Sequence, residues 1–251
     1  MPTEKTSAIV LRVVDFSESS CVLTLFTEHF GNIGALAKGA RRPKGPFDSA
    51  LDLLAVCRIV FIHKSSDALD LLTEAKLERR FRAAARDLSR LYAGYYVAEL
   101  LSDLTDLSDP HPDLYHEADR TLRALDQDDP VADTVLRFEV LALRLLGFLP
   151  SLDACAVCGG PVPAVGRVFF GQLAGGVLCP GCRTGQRQVV SLSAEALAAM
   201  RALSRAGADG DLPVIESRLR GELRGLLSHY LTNLLGHPPR MYGYLGAVAI
   251  S

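Results

Sequence analysis

Cys155-Ala-Val-Cys158-Gly-Gly and, about twenty residues further on, Cys179-Pro-Gly-Cys182 are two Cys-x-x-Cys pairs, and their spacing decides how this chain is built. A two-residue gap lets both thiolates of a pair reach one ion from a tight turn, and the intervening loop brings the second pair round to complete a tetrahedron. Gly159, Gly160 and Gly181 supply the backbone freedom such turns need. Four thiolates leave no open position on Zn2+, so the pattern predicts one structural zinc per chain, held by Cys155, Cys158, Cys179 and Cys182. An iron–sulfur centre can use the same four thiolates, and spacing does not separate the two. Two disulfides would imply export, but Met1-Pro-Thr-Glu-Lys begins no signal peptide. Cys21 and Cys57 sit alone in apolar runs and read as buried small hydrophobes.

Outward from this insertion, taken as residues 151–187, the chain has material for further cores. Of its 251 residues 49% are hydrophobic, and no apolar run approaches a membrane span. The reduced-cysteine pattern and the lack of a targeting segment predict a cytoplasmic protein. Net charge is only −2, so any affinity for nucleic acid must come from local patches.

Residues 7–76 read as strands. Ser7 to Val14 and Cys21 to Thr27 are β-branched apolar runs separated by Asp15-Phe-Ser-Glu-Ser-Ser, a string of turn formers. Ile33 to Lys38, Leu54 to Ile62 and Leu69 to Ala75 complete five strands, with one long loop after the third. A five-stranded barrel of the oligonucleotide-binding (OB) type fits this length; an open sheet or an SH3-like barrel fits the strand count nearly as well. From Leu77 the period turns helical: Leu77, Phe81, Ala84, Leu88, Leu91 and Tyr95 predict a helix running to the Asp109-Pro-His-Pro break. Further helices are expected over 113–125, after Pro130 with Gly147 as its stop, after an N-cap at Ser193, and from Pro213 to Gly236. The fold class is thus α+β and multidomain: an OB barrel (1–76), an α-helical domain (77–150 and 188–251), and a four-cysteine zinc finger (151–187) inserted into it.

The loop after the third strand reads Lys38-Gly-Ala-Arg41-Arg42-Pro-Lys44-Gly-Pro, four cations in seven residues with no acid between Glu28 and Asp48. On a barrel such a loop would present guanidinium forks to phosphates, whereas charge count alone fits a solvated surface loop equally well. Phe16, Phe47 and Phe61 are aromatics that could stack on a base, but strand aromatics are more often core, so none enters the predicted site. Arg79, Arg82, Arg86 and Arg90 share one face of the expected first helix, either a solvated face or an extension of a DNA track. Beyond it, ten acids between Glu99 and Asp129 face only Arg120 and Arg123, an oriented interaction surface or a solubilising one. Catalytic motifs are not found: Gly31-Asn-Ile-Gly34 is no dinucleotide fingerprint, no Walker loop occurs, and the six histidines are scattered.

Together, Ala37-Lys-Gly-Ala-Arg-Arg-Pro-Lys44, the four-cysteine spacing, the N-terminal barrel and the helical remainder resemble the bacterial RecO family of DNA repair proteins over nearly the whole chain. Tyr230-Leu-x-x-Leu-Leu-Gly236 is similar to that family's last helix, while His237-Pro-Pro-Arg-Met-Tyr departs from its basic close. The resemblance implies a non-enzymatic recombination mediator that binds single- and double-stranded DNA and anneals complementary strands. Working with RecR, such a protein helps RecA replace single-strand-binding protein (SSB), whose C-terminal tail is a further expected partner. It carries DNA binding onto Lys38, Arg41, Arg42 and Lys44, and metal binding onto the four cysteines. Two other classes stay open: a zinc-stabilised adaptor that binds only proteins, and a hydrolase with zinc as scaffold.

Overall fold

The computed structural model describes residues 2–42, 47, 50–64, 68–83, 87–127, 129–163, 165–206 and 215–245. The chain divides into two compact units, 1–129 and 130–251.

In the first unit, β1 (Thr3–Asp15), β2 (Cys21–Thr27), β3 (Gly31–Ala37), β4 (Val56–Ile62) and β5 (Asp70–Arg79) close a barrel in the order β1-β2-β3-β5-β4. All neighbours are antiparallel except β3 and β5, which run parallel from Ala35↔Asp70 to Ala37↔Leu72 and seal the cylinder. The OB barrel was therefore the correct choice among the three architectures. Long β1 serves two neighbours, pairing with β4 through its first half and with β2 through its second. A register shift between Val10 and Arg12 marks a bulge that bends it from one to the other.

Strict alternation fills the barrel: Leu23 and Leu25 from β2, Ile33, Ala35 and Ala37 from β3, and Cys57, Ile59 and Phe61 from β4. Small alanines on β3 leave room for Phe61 and for Phe47, which enters from the long loop. Each buried phenylalanine contributes about 2–3 kcal/mol of hydrophobic stabilisation. Cys57 donates to the Ala50 carbonyl, and burial pushes its thiol up to about 12. Burial also raises the Cys21 thiol, so both are packing groups.

The expected helix from Leu77 is not formed. The chain stays extended through Arg79, opposite Val56, and α1 (Leu88–Leu104) begins only after Asp87, whose carboxylate caps the Ser89 N–H at 2.8 Å. Leu77 and Phe81 match a helical spacing, but cross-strand pairing with β4 outweighs that local signal. Phe81 instead packs against Gly94 of α1, where an added Cβ would lie 2.9 Å from its ring.

Helix α1 and its successor α2 (Pro112–Asp126) fall in the same compact unit as the barrel. Long-range contacts tie the end of α1 to the barrel. Asn32 at the β2–β3 turn donates to Thr105 Oγ1 at 2.7 Å and to the Leu101 carbonyl, and its own carbonyl accepts from Ser108 N–H. Gly31 (φ +64°) permits this, since a Cβ there would sit 2.2 Å from the Asp109 carbonyl oxygen.

In the second unit, α3 (Val131–Leu145) ends in a Schellman motif: Gly147 N–H donates to Arg144 O, and Phe148 N–H to Leu143 O. A three-stranded sheet, β6 (Arg167–Gly171), β7 (Gly176–Leu178) and β8 (Val189–Ser193), has the order β7-β6-β8, with the short helix α4 (Pro180–Arg183) between β7 and β8. Strand β8 runs straight into α5 (Ala194–Arg205), whose N-cap is Ser193 as its sequence predicts. Helix α6 (Ser217–Leu235) buries Leu223, Leu226, Leu227 and Leu231 and stops at left-handed Gly236; a short α7 (Tyr242–Leu245) follows. Pro213, the expected start of α6, lies outside the described residues. Glu139 of α3, almost fully buried, accepts from Arg224 of α6 at 3.0 Å. No helix among the described residues is long and apolar enough to cross a membrane.

Candidate nucleic-acid interface and metal centre

The basic turn follows directly from β3. Gly39 (φ +74°) reverses the chain, and Arg42 N–H closes the turn on the Gly39 carbonyl at 3.0 Å. A second turn, between β1 and β2, is locked beside it. There Phe16 N–H and Ser17 N–H both donate to the Ser20 carbonyl, at 3.0 and 3.1 Å. Arg41 N–H donates across to Ser19 O at 3.1 Å, and Gly39 N–H to Ser20 Oγ at 3.4 Å. Between the turns lies a cleft of about 310 Å3 lined by Phe16, Ser19, Ser20, Leu36, Lys38, Gly39 and Arg42.

Three of the four predicted loop cations fall on described residues, and all three are exposed. Arg41 pairs with Asp15 at 3.0 Å, both groups well solvated. Such a pair is worth at most about 1 kcal/mol, which a phosphate can match. Neither Lys38 nor Arg42 has an ion-pair partner among the described residues; Lys44 lies outside them.

The arginine stripe is a correction. Arg79, Arg82 and Arg90 do not share a helix face, because Arg79 ends β5, Arg82 lies in the connection and only Arg90 is on α1; Arg86 is outside the described residues. Arg79 is 18% exposed and bonds Asp119 and Asp126 together. Arg90 bonds the carbonyls of Leu125 and Gln127. Arg82 keeps an exposed side chain, while its N–H and that of Ala83 donate to Asp126 Oδ1 at 2.8 Å.

Phe16, set aside in the sequence as an aromatic more often found in a core, is exposed, and so is Arg12; residues 12–15 of β1 are all exposed beyond the bulge, so hydrophobic alternation there gives no signal. Val14 stands opposite Val22, and Val22 opposite Leu36, one row on the outer barrel face because their neighbours Cys21, Leu23, Ala35 and Ala37 point inward. Arg12 shares the outward parity.

In the second unit the four predicted cysteines meet. Their sulfurs all lie within 4.8 Å of one another, and Cys158 and Cys179 are 3.8 Å apart. Tetrahedral Zn–S bonds of about 2.3 Å require S···S separations of about 3.8 Å. The backbone explains the assembly. Residues 151–156 lie along β7, with Val177 N–H on Ser151 O and Ala156 N–H on Val177 O, and β7 leads directly into Cys179. Gly176 allows the approach, since a Cβ would stand 2.5 Å from Ser151 O. Gly159 (φ +70°) donates to Cys155 O and closes the first knuckle, and Cys182 N–H donates to Cys179 O and closes the second. Backbone N–H groups of Cys179 and Cys158 hold the Cys155 thiol down to about 6, while hydrogen bonding with Cys158 and Cys179 pushes Cys182 up to about 12. Four crowded sulfurs that cannot all ionise alone are a donor set suited to a thiophilic cation.

Comparison with known proteins places this geometry. The family model for the N-terminal part of recombination protein O matches residues 1–81, and that for its C-terminal part matches 85–242. DNA repair protein RecO of Rhodopirellula baltica is 44% identical, with 95% of this chain and 97% of the relative aligned. The proteins of the same name from Anaeromyxobacter dehalogenans (strain 2CP-1) and Myxococcus xanthus are 35% and 32% identical, over 92% and 97% of each chain. Barrel, helices, cysteine cluster and end-to-end similarity agree: the chain belongs to the RecO family of recombination and DNA repair proteins.

Proposed function

We propose that this protein binds single- and double-stranded DNA through the Lys38–Lys44 turn and serves as a recombination mediator that catalyses no covalent step. In this reading it anneals complementary strands and, with RecR, helps RecA replace SSB on single-stranded gaps. The observation that carries the reading is the pair of exposed cations Lys38 and Arg42, without an ion-pair partner among the described residues, beside a cleft on a closed OB barrel in a chain of the RecO family. Annealing requires two polyanions to approach, and a protein that neutralises phosphates lowers their repulsion. Phosphate contacts do not read bases, so sequence preference is slight. In this reading Zn2+, one per chain, is held by Cys155, Cys158, Cys179 and Cys182 as a structural knot, and the protein works in the cytoplasm with its DNA; the reduced cysteines support that location.

The test is binding and annealing of labelled complementary oligonucleotides across a salt series, for the wild type and for a variant with Lys38, Arg41, Arg42 and Lys44 all changed to Ala. At about 0.7 counterions per single-strand phosphate contact, the slope of log affinity against log salt should become shallower by up to about 3. Annealing should be lost. Unchanged binding would move the site elsewhere on the surface, Arg82 being one exposed candidate. No binding by the wild type would favour an adaptor that recognises only proteins.

A further inference from the structure

Phe16 is out of place by the rules that govern the other aromatics around the barrel. Phe26 and Phe61 are fully buried and Phe47 nearly so, whereas Phe16 is 67% exposed. Its backbone is fixed: both turns flanking the cleft are closed by backbone hydrogen bonds and tied to each other through Arg41 N–H and Ser19 O. A solvent-facing ring on a fixed backbone beside Lys38 and Arg42, continued by the apolar row Val14, Val22 and Leu36, has the composition of a single-strand site. Such sites pair a stacking platform with cations that track the backbone. The outer face of the second and third strands, with the loop between the first and second, is where OB barrels take oligonucleotides. A cleft of about 310 Å3 lies at the small end of ligand pockets, suited to one flat group and not to a helix.

We propose that Phe16 is a base-stacking platform: the cleft takes one unpaired nucleobase on the Phe16 ring, with flanking phosphates on Lys38 and Arg42, and so makes the barrel prefer single strands to duplexes. This rests on the DNA-binding reading above and adds to it a source of strand selectivity that charge alone does not supply. In a duplex the bases are already stacked on one another, so Phe16 gains nothing there. Arg12, on the same outward row of β1 as Val14, carries positive charge further along that face.

The chain contains no Trp, so Phe16→Trp installs a single tryptophan at the site in question, excited at wavelengths beyond the absorption of its seven tyrosines. Oligothymidylate should quench its emission by half or more, and a duplex of the same length should leave it nearly unchanged. Phe16→Ala should weaken oligothymidylate binding about tenfold with the salt slope unaltered, and shift duplex binding by less than twofold. Phe16→Leu should behave as Phe16→Ala, because it keeps apolar bulk and loses the π-face. Since the side chain is exposed, unchanged thermal transitions are expected for all three. Equal losses on single and double strands, or wild-type affinity in Phe16→Ala, would overturn the stacking role. So would unquenched emission from Phe16→Trp while DNA is bound. If these occur while the four-cation variant still loses its salt slope, only the stacking inference fails. If the wild type binds neither form of DNA, the DNA-binding reading fails with it.

Discussion

Two sets of arginines on the first unit look alike in sequence and differ in everything that matters for binding. Arg41 and Arg42 stand on a tight turn in solvent, with one loose partner between them. Arg79 and Arg90 are folded inward, the first onto Asp119 and Asp126, the second onto the carbonyls that end α2. The acidic run of 99–129, which in sequence reads as a lobe opposite a basic stripe, is in part that stripe's own counterion. Arg123 joins the same Asp119, and nearly buried Glu117 holds Arg120. A charge count therefore measures potential for binding, while the charge on offer is what tertiary ion pairing leaves over.

The largest effect that sharpens this contrast lies outside both sets. Stripping the metal with a chelator should remove about 10 kcal/mol of folding free energy from the cysteine sheet, read as new proteolytic cuts confined to about 151–193. The salt-dependent binding assigned to the barrel turn should persist. Binding that disappears with the metal would mean that neither arginine set is the main contact. Chemical analysis of the released ion should find zinc, one per chain, and not iron.

Next in size, Arg79→Ala takes the shared arginine from two carboxylates that are each less than one-fifth exposed, leaving Asp119 to Arg123 and Asp126 to the N–H groups of Arg82 and Ala83. A loss of about 3 kcal/mol is expected, seen as a thermal midpoint lower by roughly 10 °C. Below that transition the salt slope for DNA should match the wild type, the opposite of the profile expected for the Lys38–Lys44 variant. A shallower slope in Arg79→Ala would break the distinction drawn between the two sets. The smallest effect concerns the acid paired with Arg41. Asp15→Asn frees Arg41 and should tighten DNA binding two- to threefold at low salt, a gain that fades as salt rises. Weaker binding instead would show that the Asp15–Arg41 pair holds the turn in its working shape.

Local chemistry made much of the architecture legible. The alternation of Leu23, Leu25, Ile33, Ala35 and Ala37 is intrinsic to a half-buried strand, and two Cys-x-x-Cys pairs bring their own geometry. The Ser193 cap and the Gly147 stop need only their immediate neighbours. Where reading failed, a distant partner decided the outcome. Leu77 and Arg79 are extended because Cys57 and Val56 lie beside them in β4. The residues that join α1 and α2 are seated on the barrel by Asn32 and Gly31, a meeting that no local pattern records.

The sequence by itself determined the five strands, the four cysteines that meet and the place of the basic turn, because each depends on periodicity or spacing within a few residues. Which cations remain available, where the chain divides into units, and that Phe16 stands exposed between two locked turns were decided only in the tertiary structure. Ion pairing, helix docking and solvent exposure depend on residues brought together from tens of positions apart, and neither hydrophobic period nor charge count records that meeting.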